Sequence, residues 1–288
     1  MKIHESQDTL VSRVKADLID SGFGSEMKAI KAFWEKGWES YGSQSFFDLD
    51  EEKSREYDVL ASQRMLNDSG DGSHCVVFYD IVAEVKKTDK PWVVFRHNPN
   101  SEDDLEVGWS DVIHTQLNLP CDGPDLYNTF QETSLMQLNK WKGYGIHESF
   151  KKPDRQSQWY SAFVTAHKAA VHQLTINDVS EEVDEAQEYD ALRSSRLHIV
   201  KPIVILDGLL FSAELTDVDD VWVEPISNAS VSFNFETANY DDDRLKTSNI
   251  DVVTLANVQE FAALCVHRQS LLLERLVELA LERRTVEK

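Results

Sequence analysis

The spacing of apolar residues changes along this chain, and the change predicts its elements. Residues 5–20 and 27–38 place apolar side chains at helical spacing, which predicts two amphipathic helices. Three apolar runs follow at 41–49, 57–65 and 75–86, and these predict consecutive strands. Helices that alternate with strands in this way favour an α/β fold.

The second half of the chain continues this alternation. Residues 156–174 predict a helix, and 197–208 form the most strand-like run, whose nearly continuous apolar residues are typical of a central strand. Residues 256–284 predict a long helix with a leucine stripe, which either packs on the core or joins two copies in a homodimer. Shorter strands are expected at 210–214, 221–226 and 231–236.

Two of the predicted strands carry charged residues among apolar ones. Glu56 and Asp58 are two positions apart, as are Glu84 and Lys86, so each pair is expected to share a face of its strand. Buried carboxylates are costly unless they are paired, and a divalent cation is a common partner. An ion pair on a solvated face is the alternative for Glu84 and Lys86. Against it, the strand is apolar on both sides, at Ile81, Val82, Ala83 and Val85.

The order of these residues resembles the PD-(D/E)xK nuclease superfamily. Residues 22–26 open a helix that carries Glu26, which is similar to the first helix of the resolvase-type members. Residues 57–61 take the place of the family's Pro-Asp strand, with Tyr57 where the family name has proline. Glu84-Val-Lys86 then matches the (D/E)xK element. The similarity covers about residues 21–96, with a looser continuation to about residue 207.

The resemblance implies a restriction-endonuclease-like α/β fold. Its centre would be a mixed β-sheet flanked by helices, and residues 1–288 would form one enlarged domain. We expect the core at about 21–96 and 156–226, an insertion at about 97–155, and an extension at about 227–288 that ends in the long helix. The helix at 156–174 would be the crossover helix that follows the catalytic strands.

The same resemblance implies a nuclease that depends on Mg²⁺ or Mn²⁺ and hydrolyses DNA rather than RNA, in defence against foreign DNA or in repair. Asp58, Glu84 and the Val85 carbonyl would hold the metal. Lys86 would orient the attacking water or stabilise developing charge. Catalytic roles for Glu26 and Glu56, at a second ion or at the metal's waters, also come from the resemblance.

Charge is the main argument against a nucleic-acid substrate. The net charge is −22, whereas affinity for DNA depends on cations that neutralise phosphates. The charges are segregated, however, because residues 101–132 contain eight acids and 178–190 contain seven, with no Lys or Arg in either segment. We therefore expect one basic cleft in an acidic body, with nucleic acid bound by Lys87, Lys90, Lys140 and Lys142.

A second class of function stays open. A nuclease fold that has lost activity could serve as an interaction module, and an acidic surface could mimic DNA and bind a DNA-binding protein. Cys75, Cys121 and Cys265 have no paired spacing, which favours a reducing cytoplasm over a disulfide framework or a zinc site. No apolar run approaches the length of a membrane span, so no membrane partner is expected.

Overall fold

The structure is a computed structural model, and it describes residues 7–68, 74–96, 113–117, 119, 123–132, 142–152, 157–177, 194–216, 218, 220–235 and 247–286. Its helices are α1 (Gln7–Asp20), α2 (Phe23–Trp34), α3 (Gly123–Glu132), α4 (Gln158–Ile176) and α5 (Val258–Val286), the last preceded by a 3₁₀ turn at Leu255–Asn257. Its strands are β1 (Glu39–Asp48), β2 (Lys53–Asp68), β3 (His74–Lys87), β4 (Trp92–Arg96), β5 (Ile113–Leu117), β6 (Lys142–Glu148), β7 (Ser194–Asp207), β8 (Leu210–Leu215), β9 (Val221–Pro225), β10 (Asn228–Asn234) and β11 (Thr247–Thr254).

The described strands form one mixed sheet in the order β1-β2-β3-β7-β11-β10-β6-β4-β8-β9, and β5 also pairs with β7. The first three strands are an antiparallel meander. Helix α4 lies between β3 and β7 in the chain, and these two strands pair in parallel along their whole length. The prediction of a central mixed sheet flanked by helices is confirmed, and 197–208 lies in the central strand β7.

Helices cover both faces of the sheet, because alternate residues of the central strands are apolar on each side. Ile81 and Ala83 of β3 pack in one core with residues of α2, α3 and α5. Val82 points to the opposite face and packs against α4. A further core beside α4 includes Trp92 of β4 and Phe163 of α4 itself. The result is a three-layer arrangement with the sheet in the middle.

The segments expected to lie outside the core contribute strands to the sheet. Strand β6, from the expected insertion, pairs with β10 and β4. Strands β10 and β11, from the expected C-terminal extension, lie in the middle of the strand order, and β11 pairs in parallel with β7. β10 and β11 are therefore part of the central sheet and not of an extension to it. β7 needs a pairing partner on its edge away from β3, and β11 supplies it.

The leucine stripe of α5 packs on the core. Leu272 and Leu276 are fully buried in the same apolar cluster as α2. This outcome agrees with the core-packing interpretation, and a homodimer through α5 would have to use another face of the helix. In the described part of the chain, no helix combines the length and apolarity needed to cross a membrane.

Candidate functional site

A cleft of about 700 Å³ opens at the carboxyl ends of the parallel strands β3 and β7. In open α/β sheets this end of the strands is where ligands usually bind. The N-terminal ends of α2 and α4 and the end of β6 complete its walls. Its described lining is Asp20, Ser21, Gly22, Glu26, Val85, Lys86, Lys87, Thr88, Asp89, Lys90, Glu148, Lys151, Gln158, Ser161 and Asp207.

Asp58 stands where β2 separates from β3. The backbone ladder between the two strands ends at Val59, which pairs with Ala83. Beyond that point the Asp58 carboxylate accepts a hydrogen bond from the Val85 N–H, with Oδ2 2.6 Å from the nitrogen. The side chain thus replaces the backbone acceptor that a continued ladder would have supplied, which holds the carboxylate next to Val85, a residue that lines the cleft.

The Lys86 ammonium lies close to the carboxylates of both Glu84 and Asp58. Its Nζ lies 2.5 Å from Glu84 Oε2 and 3.9 Å from Asp58 Oδ2. The Glu84 side chain is only 6% exposed, whereas those of Lys86 and Asp58 are 26% and 25% exposed. The three groups therefore form one cluster that is buried on the Glu84 side, partly exposed at Asp58 and connected to the cleft by Lys86, which lines it.

Glu26 approaches the cluster from the first turn of α2. The helix begins after Gly22, whose φ of 95° is in the left-handed region that favours glycine. Ser25 lies inside α2 and donates its hydroxyl hydrogen bond to Asp207 at the end of β7. This contact fixes the N-terminal turn of α2 against the sheet, so Glu26 lines the cleft.

Burial and mutual repulsion shift the protonation of the carboxylates. Burial raises the pKa of Glu84 to about 7, with Asp58 and Glu26 adding to the rise and Lys86 opposing it. Burial and Asp58 also raise the pKa of Glu26, against the effect of Lys86. Burial alone would lower the pKa of Lys86, but Glu84, Asp58 and Glu26 outweigh it, so the pKa is raised and the ammonium stays charged.

The donor chemistry of this cluster fits a hard divalent cation. When ionised, Glu26, Asp58 and Glu84 carry three negative charges against the one positive charge of Lys86, and this excess equals the charge of Mg²⁺. Magnesium is typically held by one or two carboxylates and keeps several waters. Within the described residues, no group of three or more His, Cys, Asp or Glu side chains is close enough to hold a metal ion. The donor set that this cluster offers therefore consists of two carboxylates, Asp58 and Glu84, with the carbonyl of Val85, which lines the cleft.

Glu56 does not join this cluster. Side chains along β2 stop alternating regularly between the two faces of the sheet near Asp58. Tyr57 packs on the α4 side, and Val59, two positions later, packs on the α2 side. The regular strand that a shared face of Glu56 and Asp58 requires is therefore interrupted next to Asp58. Glu56 is exposed, and no hydrogen bond or ion pair with Glu26, Asp58, Glu84 or Lys86 is found in the described part of the chain.

The lysines expected to contact nucleic acid have different placements. Lys87 and Lys90 line the cleft. Lys142 begins β6, at the opposite end of that strand from the cleft residue Glu148, and six strand steps separate them by ~20 Å. Lys140 lies outside the described residues. Lys168, in the same basic stretch of sequence, is buried and pairs with Asp48 at 2.7 Å.

Several cleft residues were not singled out from the sequence. Lys151, Gln158 and Asp207 all line the cleft, and Glu148 accepts a hydrogen bond from the Gln158 N–H at 3.3 Å. For two of these residues the sequence does contain a signal. Asp207 ends the predicted central strand, where ligands are expected, and Gln158 lies near the predicted start of the crossover helix. The positions of Lys151 and Glu148 depend on β6 joining the sheet, which the local pattern does not show.

The cleft is mixed in charge rather than basic. Five carboxylates and four lysines line it, so the described lining does not have the excess of cations that the expected basic cleft requires. The acidic segment 178–190 and half of 101–132 lie outside the described residues. Comparison of the chain with models of known families, with curated proteins and with solved structures found no match.

Proposed function

We propose that this protein is a metal-dependent nuclease that cleaves phosphodiester bonds in DNA. The observation that carries the proposal is the meeting of the Asp58 and Glu84 carboxylates, from neighbouring strands, at the ammonium group of Lys86, which lines an open cleft. Phosphodiester hydrolysis needs charge neutralisation at the transition state and a positioned water, and this set of groups can supply both.

The chain order supports a restriction-endonuclease-like fold as the finer description. A helix that carries Glu26 precedes the β1-β2-β3 meander, and α4 then crosses over to β7, which pairs in parallel with β3. This is the order that the resemblance to the PD-(D/E)xK superfamily implies. Tyr57, which replaces the proline of the motif, is buried between Phe46 and the α4 side of the sheet, so the position has a packing role here.

The protein groups have distinct roles in the proposed reaction. Asp58, Glu84 and the Val85 carbonyl would bind Mg²⁺ or Mn²⁺, and the metal would supply Lewis-acid stabilisation of the scissile phosphate and activate a water. Lys86 stays protonated, so it donates hydrogen bonds to a phosphate oxygen or to the attacking water and does not act as a base. Glu26, with its raised pKa, accepts a proton from water at the cleft wall.

Several features of the cleft favour an anionic substrate despite the acidic body. Lys87, Lys90 and Lys151 stand beside Lys86, and the N-terminal ends of α2 and α4 face the same space. Helix N-termini attract phosphates through their dipoles and N–H groups. A divalent cation would offset the negative charge of the carboxylates, so the substrate would meet a less negative cleft when the metal is bound.

The first prediction tests catalysis directly. Purified protein is incubated with plasmid, linear duplex, single-stranded DNA and RNA in the presence of Mg²⁺ or Mn²⁺. We expect cleavage of DNA that EDTA abolishes and that falls by at least about a hundredfold in Asp58→Ala and Lys86→Ala. The two variants should differ in metal affinity measured by calorimetry, because Asp58→Ala loses a ligand whereas Lys86→Ala does not.

Matched controls come from exposed residues near the cleft elements. Lys28→Ala on α2 and Asp17→Asn on α1 change the same residue types without touching the cleft. Both should retain the wild-type rate. Cleavage that persists in Asp58→Ala and Lys86→Ala would assign the activity to another site or to a contaminant and would overturn the proposal.

An interaction module is the second candidate function, and the five carboxylates of the cleft favour it. In that case the acidic surface would bind a basic protein surface and the Asp58–Glu84–Lys86 cluster would be structural. The same incubation separates the two candidates. Absence of cleavage with every substrate and metal, together with unchanged thermal stability on Mg²⁺ addition, would favour the interaction module.

A further inference from the structure

One aromatic side chain beside the proposed nuclease cleft is almost fully exposed. Phe150 follows β6 and is 86% exposed, more than any other aromatic side chain that the structure describes. Its chain neighbours Glu148 and Lys151 both line the cleft, so Phe150 lies at the rim. Water disfavours such a large apolar surface, and a ligand that covers the ring would therefore gain free energy.

The backbone holds Phe150 in an unfavourable conformation. Its φ of 58° is in the left-handed region, which a bulky side chain rarely adopts. Such a conformation persists only where the surroundings impose it, and it is common at binding sites. Here the Ser149 N–H donates a hydrogen bond to the Pro91 carbonyl oxygen at 2.9 Å, and Lys151 Nζ donates one to the Ser157 hydroxyl at 2.8 Å. The turn is thus anchored on both sides of Phe150, which fixes the position of the exposed ring.

The same anchors bring cations to the rim. Pro91, which accepts the hydrogen bond, directly follows the cleft residue Lys90, and the cleft residue Lys151 directly follows Phe150. The Lys151 ammonium has three N–H donors, of which the Ser157 hydroxyl accepts one. Proteins that bind single-stranded nucleic acid combine cations along the backbone with aromatic rings on which the bases stack. The rim of this cleft offers both kinds of group side by side.

The interior of the cleft contrasts with its rim. Its described lining contains no aromatic side chain and consists mostly of charged and hydroxyl groups, which suit phosphates and a metal rather than bases. Stacking on a base can therefore occur at the rim, on Phe150. A base inside a duplex is already covered by its stacked neighbours, so it would have to leave the stack to reach the ring, and an unpaired base would not.

We propose that Phe150 stacks on an unpaired base beside the cleft and thereby selects single-stranded DNA, or a single-stranded segment of a duplex, as the substrate. Lys90 and Lys151 would contact the phosphates next to that base. The inference rests on the proposed nuclease function and narrows its substrate. Phe150 is then a substrate-binding residue that determines specificity, and it takes no part in binding the metal.

The test measures binding by fluorescence anisotropy, with Ca²⁺ in place of Mg²⁺ to suppress cleavage. The full-length protein is titrated with a short labelled single strand, a blunt duplex of the same length, and a strand of the same length without bases. We expect the single strand to bind most tightly. Phe150→Ala should weaken its binding about tenfold or more, because base–aromatic stacking is lost. The strand without bases should bind this variant as it binds the wild type, since its phosphate contacts are unchanged.

Two further variants separate binding from structure. Asparagine tolerates the left-handed conformation, so Phe150→Asn should be at least as stable as wild type in urea denaturation and yet bind the single strand as weakly as Phe150→Ala. A purely structural role of the ring would instead make Phe150→Asn less stable. Tyr41→Ala is the matched control, because Tyr41 is an exposed aromatic residue of β1 outside the described lining of the cleft, and it should bind every strand as wild type does.

Three results would overturn the inference: unchanged affinity of folded Phe150→Ala for the single strand, an equal loss with the strand that has no bases, or tighter binding of the duplex by the wild type. If the wild type cleaves DNA and one of these results is found, the inference alone fails. If the expected binding is found but Mg²⁺ and Mn²⁺ support no cleavage, the nuclease function fails and the stacking role of Phe150 stands. Absence of binding to every strand would overturn both.

Discussion

Glu84 changes its protonation near neutral pH because it is buried and lies near other charged groups. Its carboxylate is nearly enclosed, lies beside two other acids, and has one ammonium partner in Lys86. Burial raises its pKa to about 7, so the group changes charge in the physiological range. A carboxylate with this property exchanges its proton for a metal as the pH rises, which connects metal affinity to pH.

The second prediction follows from that shift. The folded pKa of Glu84 is raised above the unfolded one, so its stabilising contribution is complete below pH ~4.5 and is lost as the pH rises through about 7. Glu84→Gln removes the ionisable carboxyl group, so the variant does not lose this stability as the pH rises. In urea denaturation without metal, the variant should gain about 2 kcal/mol relative to wild type between pH 5 and pH 8.

Glu39→Gln is the control for this measurement, because Glu39 is exposed at the start of β1. Its stability relative to wild type should be the same at both pH values. A Glu84→Gln difference that does not depend on pH would show that the carboxyl titrates normally. In that case the argument for a metal based on its raised pKa would fail.

The ends of helices and strands determine where the cleft residues lie. The N-terminal turn of α2 carries Glu26, and it is fixed by a left-handed Gly22 before it and by the Ser25–Asp207 hydrogen bond within it. The end of the β2–β3 ladder exposes the Val85 N–H that orients Asp58. The local backbone conformation therefore decides where the acids lie, and regular strand or helix geometry alone does not.

The third prediction tests the turn before α2. Gly22→Ala forces a side chain into a positive φ and should lower the free energy of unfolding by about 1 kcal/mol. Gly24→Ala is the matched control. Its added methyl group would meet its nearest neighbour at an ordinary 3.6 Å, and alanine favours the helix, so stability should be unchanged or higher. Chemical denaturation of both variants measures the difference, and equal effects would contradict the strained turn.

At the scale of the whole molecule, the charge of the protein limits how nucleic acid can bind. Most of the surface of a protein with a net charge of −22 repels phosphates, and contact is favourable only where cations are concentrated. The proposed nuclease cleft has four lysines, so few counterions would be released on binding. Affinity should therefore be modest and should depend only moderately on salt.

The fourth prediction concerns how steeply the affinity for DNA falls as the salt concentration rises. With Ca²⁺ in place of Mg²⁺ to suppress cleavage, log K for duplex DNA should fall against log salt with a slope of about −3 to −4. The double variant Lys90→Gln/Lys151→Gln should reduce the magnitude of the slope by about 2, and Lys28→Gln should leave it unchanged. A slope near −8 would indicate a larger basic surface elsewhere and would contradict binding in this cleft.

Short-range patterns in the sequence determined much of this protein. Helical and strand spacing located α1, α2, α4, α5 and the meander β1-β2-β3, because these elements satisfy their backbone hydrogen bonds locally or with near neighbours. The pairing of Glu84 with Lys86 was also readable, since two positions on one regular strand must share a face.

Only the tertiary structure decided the rest. The alternation of β2 side chains is interrupted next to Asp58, Glu56 stays outside the cluster, and Lys168 of α4 is buried against Asp48 of β1. The places of β6, β10 and β11 in the sheet depend on which strand edges are left unpaired, a property of the assembled sheet. Long-range pairing also brings Lys151 and Asp207 to one cleft, because the walls of the cleft come from segments distant in the chain.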